Sequence, residues 1–194
     1  MTKILACDLD GVLFNFNKAY TKWLNDEFRC EIPPDDHYYP TTWHYPTDDG
    51  HVTYKEEAQF WKWLDKGMNS YDFWANLPTY PDAGEFIKDA QDKFDEIVFI
   101  TVRPGEGAYD GSKDALKFLG VDDPEVIITS NKGPVVEDIG ATHFLEDRDK
   151  NFDDVIAHGH ENLKMFLIDR PWNRHYNNDR VIRINQISEV MKNA

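Results

Sequence analysis

Cysteine is almost missing from this chain, with two among 194 residues. Cys7 and Cys30 cannot build a disulfide framework. Cys7 lies in an apolar run and reads as a small buried hydrophobe, which fits a reducing interior. Positive charge is also in short supply: 21 Lys and Arg against 36 Asp and Glu leave a formal charge of −15. Long polynucleotides and anionic membranes are disfavoured as partners, because both are held through clustered Lys and Arg. A small phosphorylated molecule is not disfavoured, since it needs only local positive charge. No apolar run approaches the ~20 residues of a transmembrane helix. Met1-Thr2-Lys3 leads directly into a strand, without the regions of a secretory signal. The expected location is therefore cytoplasmic. Repeats, low-complexity tracts, Gly/Ser linkers and a phosphate-loop kinase motif are all missing. The histidines form no metal-like cluster: His37, His44 and His51 fall in one loop, and His158 and His160 flank Gly159.

What remains is an ordinary globular composition, 41% hydrophobic and 29% charged, long enough for one domain or a domain with a sizeable insertion. Strand-like runs occur at Lys3–Cys7, Glu96–Thr101, Val126–Thr129, Thr142–Leu145, Lys164–Ile168 and Arg180–Ile184. Helical patterns lie between them. Asp82–Phe94 places Phe86, Ile87, Ala90 and Phe94 on one face, with Asp82 and Glu85 as a capping-box-like start. Ser112–Leu119 stops at Gly120, and Asn151–His158 stops at Gly159. This alternation predicts an α/β fold, a Rossmann-like parallel sheet with helices on both faces. Ligands of such sheets bind beyond the carboxyl ends of the strands.

Residues 15–80 break the rhythm. Phe16, Tyr20, Trp23, Leu24 and Phe28 recur at helical spacing, a proline- and aromatic-rich loop follows, and a second helix is expected from Thr53 to Gly67. Five of the six tryptophans fall in this stretch; Trp172 is the exception. The predicted organisation is a core made of residues 1–14 and 81–194, with residues 15–80 forming a small helical cap inserted after the first strand.

The chemistry concentrates at strand ends. The first strand ends in Asp8-Leu9-Asp10-Gly11; in extended chain Asp8 and Asp10 share a side, and Gly11 permits a sharp turn. Thr101 closes the second run, followed by Val102 and Arg103. Lys132 follows the third, and Glu146-Asp147 end the fourth. Nucleophile, acid/base, anion clamp and cation-binding carboxylates are the parts of a phosphoryl-transfer site.

"DLDGVLF", the strand ending in Thr101, the isolated Lys132 and "ED" at 146–147 resemble the four motifs of the haloacid dehalogenase superfamily, in order and spacing, from residue 3 to about 155. "FWANLPTYPDA" (73–83), "EDR" (146–148) and "LIDRPWNRH" (167–175) narrow the resemblance to the 5′(3′)-deoxyribonucleotidases. The resemblance implies a phosphatase of (deoxy)nucleoside monophosphates. In it Asp8 is the nucleophile that becomes an aspartyl-phosphate, and Asp10 is the acid/base. Mg²⁺ would be bound by Asp8, the Asp10 carbonyl and Asp147, with Glu146 either a ligand through water or a support. Thr101, Val102, Arg103 and Lys132 would hold the phosphoryl group, with Arg103 equally placed to pair with a surplus carboxylate. A nucleotide also needs something to hold its base. Phe73 and Trp74, where the cap rejoins the core, and Phe14 after the aspartates are the candidates; Phe16 fits the cap helix better. No catalytic duty follows from "DRPWN" (169–173). A phosphatase of another small metabolite, such as a phosphosugar, and an inactive module of the same fold are the alternatives. The partner is thus a small phosphorylated molecule, no polynucleotide and no membrane, with room left for a homodimer.

Overall fold

Strand residues of this chain alternate between two apolar faces, as the 2.0-residue period of extended chain requires. In a computed structural model, which describes residues 2–28, 70–158 and 161–193, six strands form one parallel sheet. They are β1 (Ile4–Cys7), β2 (Glu96–Thr101), β3 (Glu125–Ile128), β4 (His143–Glu146), β5 (Lys164–Ile168) and β6 (Val181–Ile184), in the order β3-β2-β1-β4-β5-β6. Leu5, Cys7, Phe99, Leu145, Phe166 and Ile168 belong to one buried cluster. Ala6, Val98, Ile100, Phe144, Met165 and Leu167 belong to the other.

Helices cover both faces. With α1 (Phe16–Phe28) and α2 (Tyr71–Ala75) counted first, α3 (Ala83–Lys93) and α4 (Ala108–Phe118) pack Phe86, Ile87, Ala90, Ala115 and Leu116 into the first cluster. On the other face α5 (Lys132–Asp138) and α6 (Asp149–His158) contribute Val136, Phe152 and Val155 to the second. The α/β expectation is met. Two local expectations are not. Asp82 precedes α3 without a side-chain capping bond. Helix α4 begins at Ala108, four residues before Ser112, whose hydroxyl instead donates back to the Ala108 carbonyl at 2.6 Å. A further helix, α5, which the sequence pattern did not announce, begins on Lys132 with Pro134 in its first turn. Pro134 is tolerated there because a first-turn residue has no intrahelical N–H bond to lose.

The chain leaves and re-enters the sheet side by side: Asn15 N–H donates to the Pro78 carbonyl at 2.7 Å, and Tyr80 N–H to the Leu13 carbonyl at 2.9 Å. Asn15 also caps α1, its Oδ1 accepting from Lys18 N–H at 3.0 Å. The expected helix at 53–67, the loop histidines 37, 44 and 51, His160, Cys30, Trp43, Trp61 and Trp63 lie outside the described residues.

The strand order reverses at β1: β2 and β3 lie to one side, β4 to β6 to the other. Asp8 follows β1 at that switch point, between the ends of β2 and β4, where the open ends of an α/β sheet leave a crevice.

Candidate active site

Asp8 continues the ladder beyond β1, its N–H donating to the Leu145 carbonyl at 2.9 Å, so the sheet itself fixes the nucleophile candidate. Lys132, only 1% exposed, donates from Nζ to Asp8 Oδ1 at 2.5 Å and to Glu146 Oε2 at 2.7 Å. Its place depends on Gly133. A Cβ there would lie 2.6 Å from the Asp154 carbonyl oxygen, so only glycine lets α5 settle on α6. Burial works against the Lys132 charge, but Asp8 and Glu146 outweigh it and raise its pKa well above the usual range. Asp8 is pushed up to about 7 by burial and by Glu146, against the pull of Lys132.

Glu146 is fully buried, and its oxygens are taken. Oε1 accepts from the backbone N–H of Asp147 and of Arg148, each at 3.0 Å. Oε2 accepts from Lys132 and from Asn151 Nδ2 at 2.8 Å. Asp147, 4% exposed, has one oxygen engaged and one orphaned: Trp172 Nε1 donates to Oδ2 at 2.9 Å, while Oδ1 has no hydrogen-bond partner. Burial and the charges of Glu146 and Asp8 raise its pKa well above the carboxylate norm. Gly11, at φ +84°, makes the packing feasible, since a Cβ on it would stand 2.1 Å from Asp147 Oδ2. The turn read from the sequence is therefore also a clearance.

Asp10 is partly exposed and faces the end of β2. Arg103 donates to it twice, Nε to Oδ2 at 2.9 Å and Nη2 to Oδ1 at 2.8 Å. Nη1 of Arg103 donates to Ser112 Oγ at 2.9 Å. The guanidinium carbon lies 5.2 Å from the Phe14 ring centre and 5.1 Å from that of Trp74. Thr101 is buried and directs Oγ1 toward Asp10 Oδ2 at 3.4 Å; Val102 beside it is half-buried. The structure thus brings Asp8, Glu146, Asp147 and Lys132 into one cluster, while Asp10, two residues after Asp8, meets Thr101 and Arg103 from the end of β2 in a second group.

The aromatic candidates separate. Phe14 and Trp74 are core residues, each 1% exposed. Trp74 stacks on Phe16 at 6.1 Å and donates its indole N–H to the Pro104 carbonyl at 3.2 Å. They wrap Arg103 and do not stand at a cleft mouth. Phe73, edge-on to both Phe16 and Trp74, is half-buried.

The family model described as 5′ nucleotidase, deoxy (pyrimidine), cytosolic type C protein matches residues 2–193. The chain belongs to that family. As a member of the type C nucleotidase family it is a phosphoric monoester hydrolase. Solved structures agree in fold. A protein described as a haloacid dehalogenase-like hydrolase, from Burkholderia xenovorans, superimposes with TM-score 0.63 at 12% identity, over 98% of this chain and 95% of its own. A haloacid dehalogenase-type phosphatase from Thermococcus onnurineus gives 0.59 at 17%, over 99% and 97%. A subfamily IA hydrolase from Geobacter sulfurreducens gives 0.56 at 13%, over the whole of both chains. Comparison with curated proteins returned no match. Among the described residues of this nucleotidase no helix is long and apolar enough to cross a membrane.

A divalent cation fits this nucleotidase site. Asp8, Glu146 and Asp147 each bring an oxygen within 4.8 Å of the others, and all-oxygen donor sets suit hard cations. Lys132 bonds two of the three buried carboxylates, Asp8 and Glu146, and despite the charge of Arg148 nearby the Asp147 pKa stays raised, so the cluster is short of positive charge. The orphaned Oδ1 of Asp147 is a buried acceptor that a cation would satisfy.

The sequence did not point to Asn151, Ser112, Trp172 or Asn173 as site residues. Only the unexplained "DRPWN" stretch was a signal for the last two.

Proposed function

We propose that this nucleotidase hydrolyses (deoxy)nucleoside monophosphates in two steps through an aspartyl-phosphate on Asp8, with Mg²⁺ as cofactor. The observation that carries the reading is the paired arrangement after β1. Asp8 is held at one oxygen by Lys132 beside the orphaned Asp147 oxygen, and Asp10 is held at both oxygens by Arg103. Asp8, the Asp10 carbonyl and Asp147 would hold the cation, which supplies Lewis-acid charge neutralisation at the phosphoryl oxygens. Glu146, with four donors on its oxygens, supports Lys132 and the 146–148 backbone.

In the first step an Asp8 carboxylate oxygen forms a bond to phosphorus as the ester P–O bond breaks, and the departing sugar oxygen takes the proton of the Asp10 carboxylic acid. In the second, the Asp10 carboxylate takes a proton from water, whose oxygen bonds to phosphorus as the P–O bond to Asp8 breaks. Phosphate leaves, with Asp8 ionised and Asp10 protonated once more. Lys132 keeps Asp8 oriented and balances charge, and Thr101 offers its hydroxyl to a phosphoryl oxygen. Arg103, committed to Asp10 and Ser112, positions the acid/base. Residues 15–80 are the cap segment inserted after the first strand, Phe73 offers an aromatic face to the base, and a cytoplasmic location follows the family's description.

A panel of 5′- and 3′-nucleoside monophosphates, ribose and deoxyribose, alongside sugar phosphates, tests the reading. Nucleotides should be turned over at the highest kcat/KM, chelator should abolish turnover, and Mg²⁺ should restore it. A preference for sugar phosphates would replace the substrate assignment, and full activity in chelator would remove the metal assignment.

A further inference from the structure

The turn after β5 converges on one carboxylate. Trp172 and Asn173 lie in a single 3₁₀ turn, Pro171–Asn173. Trp172 Nε1 donates to Asp147 Oδ2 at 2.9 Å, and Asn173 Nδ2 donates to the Asp147 carbonyl at 2.7 Å. Arg170 Nε donates to the Gly11 carbonyl at 2.8 Å, and Gly11 lies against the same Oδ2. The turn is itself tied down: Arg183 Nη1 donates to Asn173 Oδ1 at 2.8 Å and to Asp169 Oδ1 at 2.9 Å, and its Nη2 to the Asn173 carbonyl at 3.0 Å. The two oxygens of Asp147 are therefore in different states. Oδ2 is bonded to an indole and flanked by Gly11 backbone; Oδ1 is buried with no donor.

We propose that Trp172 fixes Asp147 as a one-oxygen ligand and thereby selects Mg²⁺ over Ca²⁺. The inference rests on the cation site read above. Mg²⁺ demands a small octahedron and is served by single carboxylate oxygens. Ca²⁺ takes six to eight ligands and readily accepts both oxygens of one carboxylate. A carboxylate whose second oxygen is bound by a rigidly held N–H meets the first demand and denies the second. Hydrogen bonds from outside a metal's ligand set orient the ligands in this way. The residue type also matters. Indole is a donor with no acceptor of its own. It therefore cannot compete for the cation as an amide oxygen would, and it brings no positive charge to repel it as Arg or Lys would.

The test reads binding without turnover. Mn²⁺ paramagnetic resonance on the metal-free protein, with Mg²⁺ and Ca²⁺ as competitors, gives both affinities for wild type, Trp172→Phe and Asp147→Asn. Trp172 is half-buried, and Phe keeps a ring in its place without the N–H. Mg²⁺ affinity of Trp172→Phe should fall by about 10- to 100-fold, while Ca²⁺ affinity falls less, so that the ratio moves toward Ca²⁺. Trp172→Leu serves the same purpose if circular dichroism shows the Phe variant unfolded. Unchanged Mg²⁺ affinity, or parallel losses for both ions, would overturn the role of Trp172 while leaving the cation site standing. An Asp147→Asn variant that binds Mg²⁺ like wild type, or a wild type that binds neither ion, would instead remove the cation site itself.

Discussion

Arg103 holds Asp10 at both oxygens, Nε on Oδ2 at 2.9 Å and Nη2 on Oδ1 at 2.8 Å, from a side chain with no solvent exposure. The fork is fixed from behind by Ser112 and lies against the rings of Phe14 and Trp74. A guanidinium committed in this way orients a carboxylate, and its remaining donors are few.

Arg103→Lys should therefore lower kcat and leave KM nearly unchanged. Lysine keeps the charge but cannot reproduce the two parallel bonds. The loss should stay below the ~10²–10⁴-fold that general acid–base catalysis supplies in total. Steady-state kinetics on the preferred nucleotide would check it. A raised KM at constant kcat would assign Arg103 to the phosphate instead.

Asp8→Asn should abolish turnover, because an amide cannot form the acyl phosphate. Asp10→Asn should impair both steps by about 10²–10⁴-fold and retain a trace with aryl phosphates, whose leaving group needs no proton. Acid quench and peptide mass analysis should find phosphate on the peptide containing Asp8. A near-native Asp8→Asn rate, free of deamidation, would end the covalent reading.

Phe73 and Trp74 are neighbours in sequence and should behave differently. Phe73→Ala should lower kcat/KM for nucleotides by roughly 5- to 150-fold, the equivalent of ~1–3 kcal/mol of base stacking, and spare a small aryl phosphate. Trp74→Ala opens the core beside Arg103, so it should destabilise the protein by about 3–5 kcal/mol and reduce turnover of both substrates. Paired kinetics and thermal melts separate the two effects.

His143 is buried between Phe94, 4.9 Å away, and Phe166, 6.2 Å away. Burial, with the Lys164 ammonium adding to it, lowers its pKa to about 4. Unfolded chain takes up this proton near pH 6.5, whereas folded chain refuses it until about pH 4. The contribution of His143 to stability is thus complete above pH 6.5 and declines as pH falls between those values. The slope is at most about 1.4 kcal/mol per pH unit. Urea midpoints from pH 4.5 to 7 should fall less steeply for His143→Phe than for wild type. Identical slopes would show that His143 does not carry this dependence.

All six strands were legible because each is a short apolar run bounded by turn residues, a property of neighbours in the chain. That the carboxylates, Thr101 and Lys132 meet at one edge was legible because each follows a strand, and a parallel sheet gathers those strand ends on one side. Helix α5 was not, since a Gly-Pro pair is a poor helix signal on its own, and the close approach at Gly133 exists only once α6 is packed against it. Trp74 was read as a cleft residue because its type alone does not distinguish a stacking platform from a core ring; its burial against Phe16 and Arg103 does.

Period and residue type, then, determined by themselves the layered sheet and which side chains meet at its open edge. Only the tertiary structure decided what each of them is bonded to. Arg103 reaches Asp10 across 93 positions and Trp172 reaches Asp147 across 25. The pairing of Arg103 with Asp10, and of Trp172 with one Asp147 oxygen and not the other, depends on angstrom-scale distances set by packing. Strand periodicity is a property of adjacent residues, whereas a hydrogen bond across the fold exists only once the sheet order has brought its two ends together.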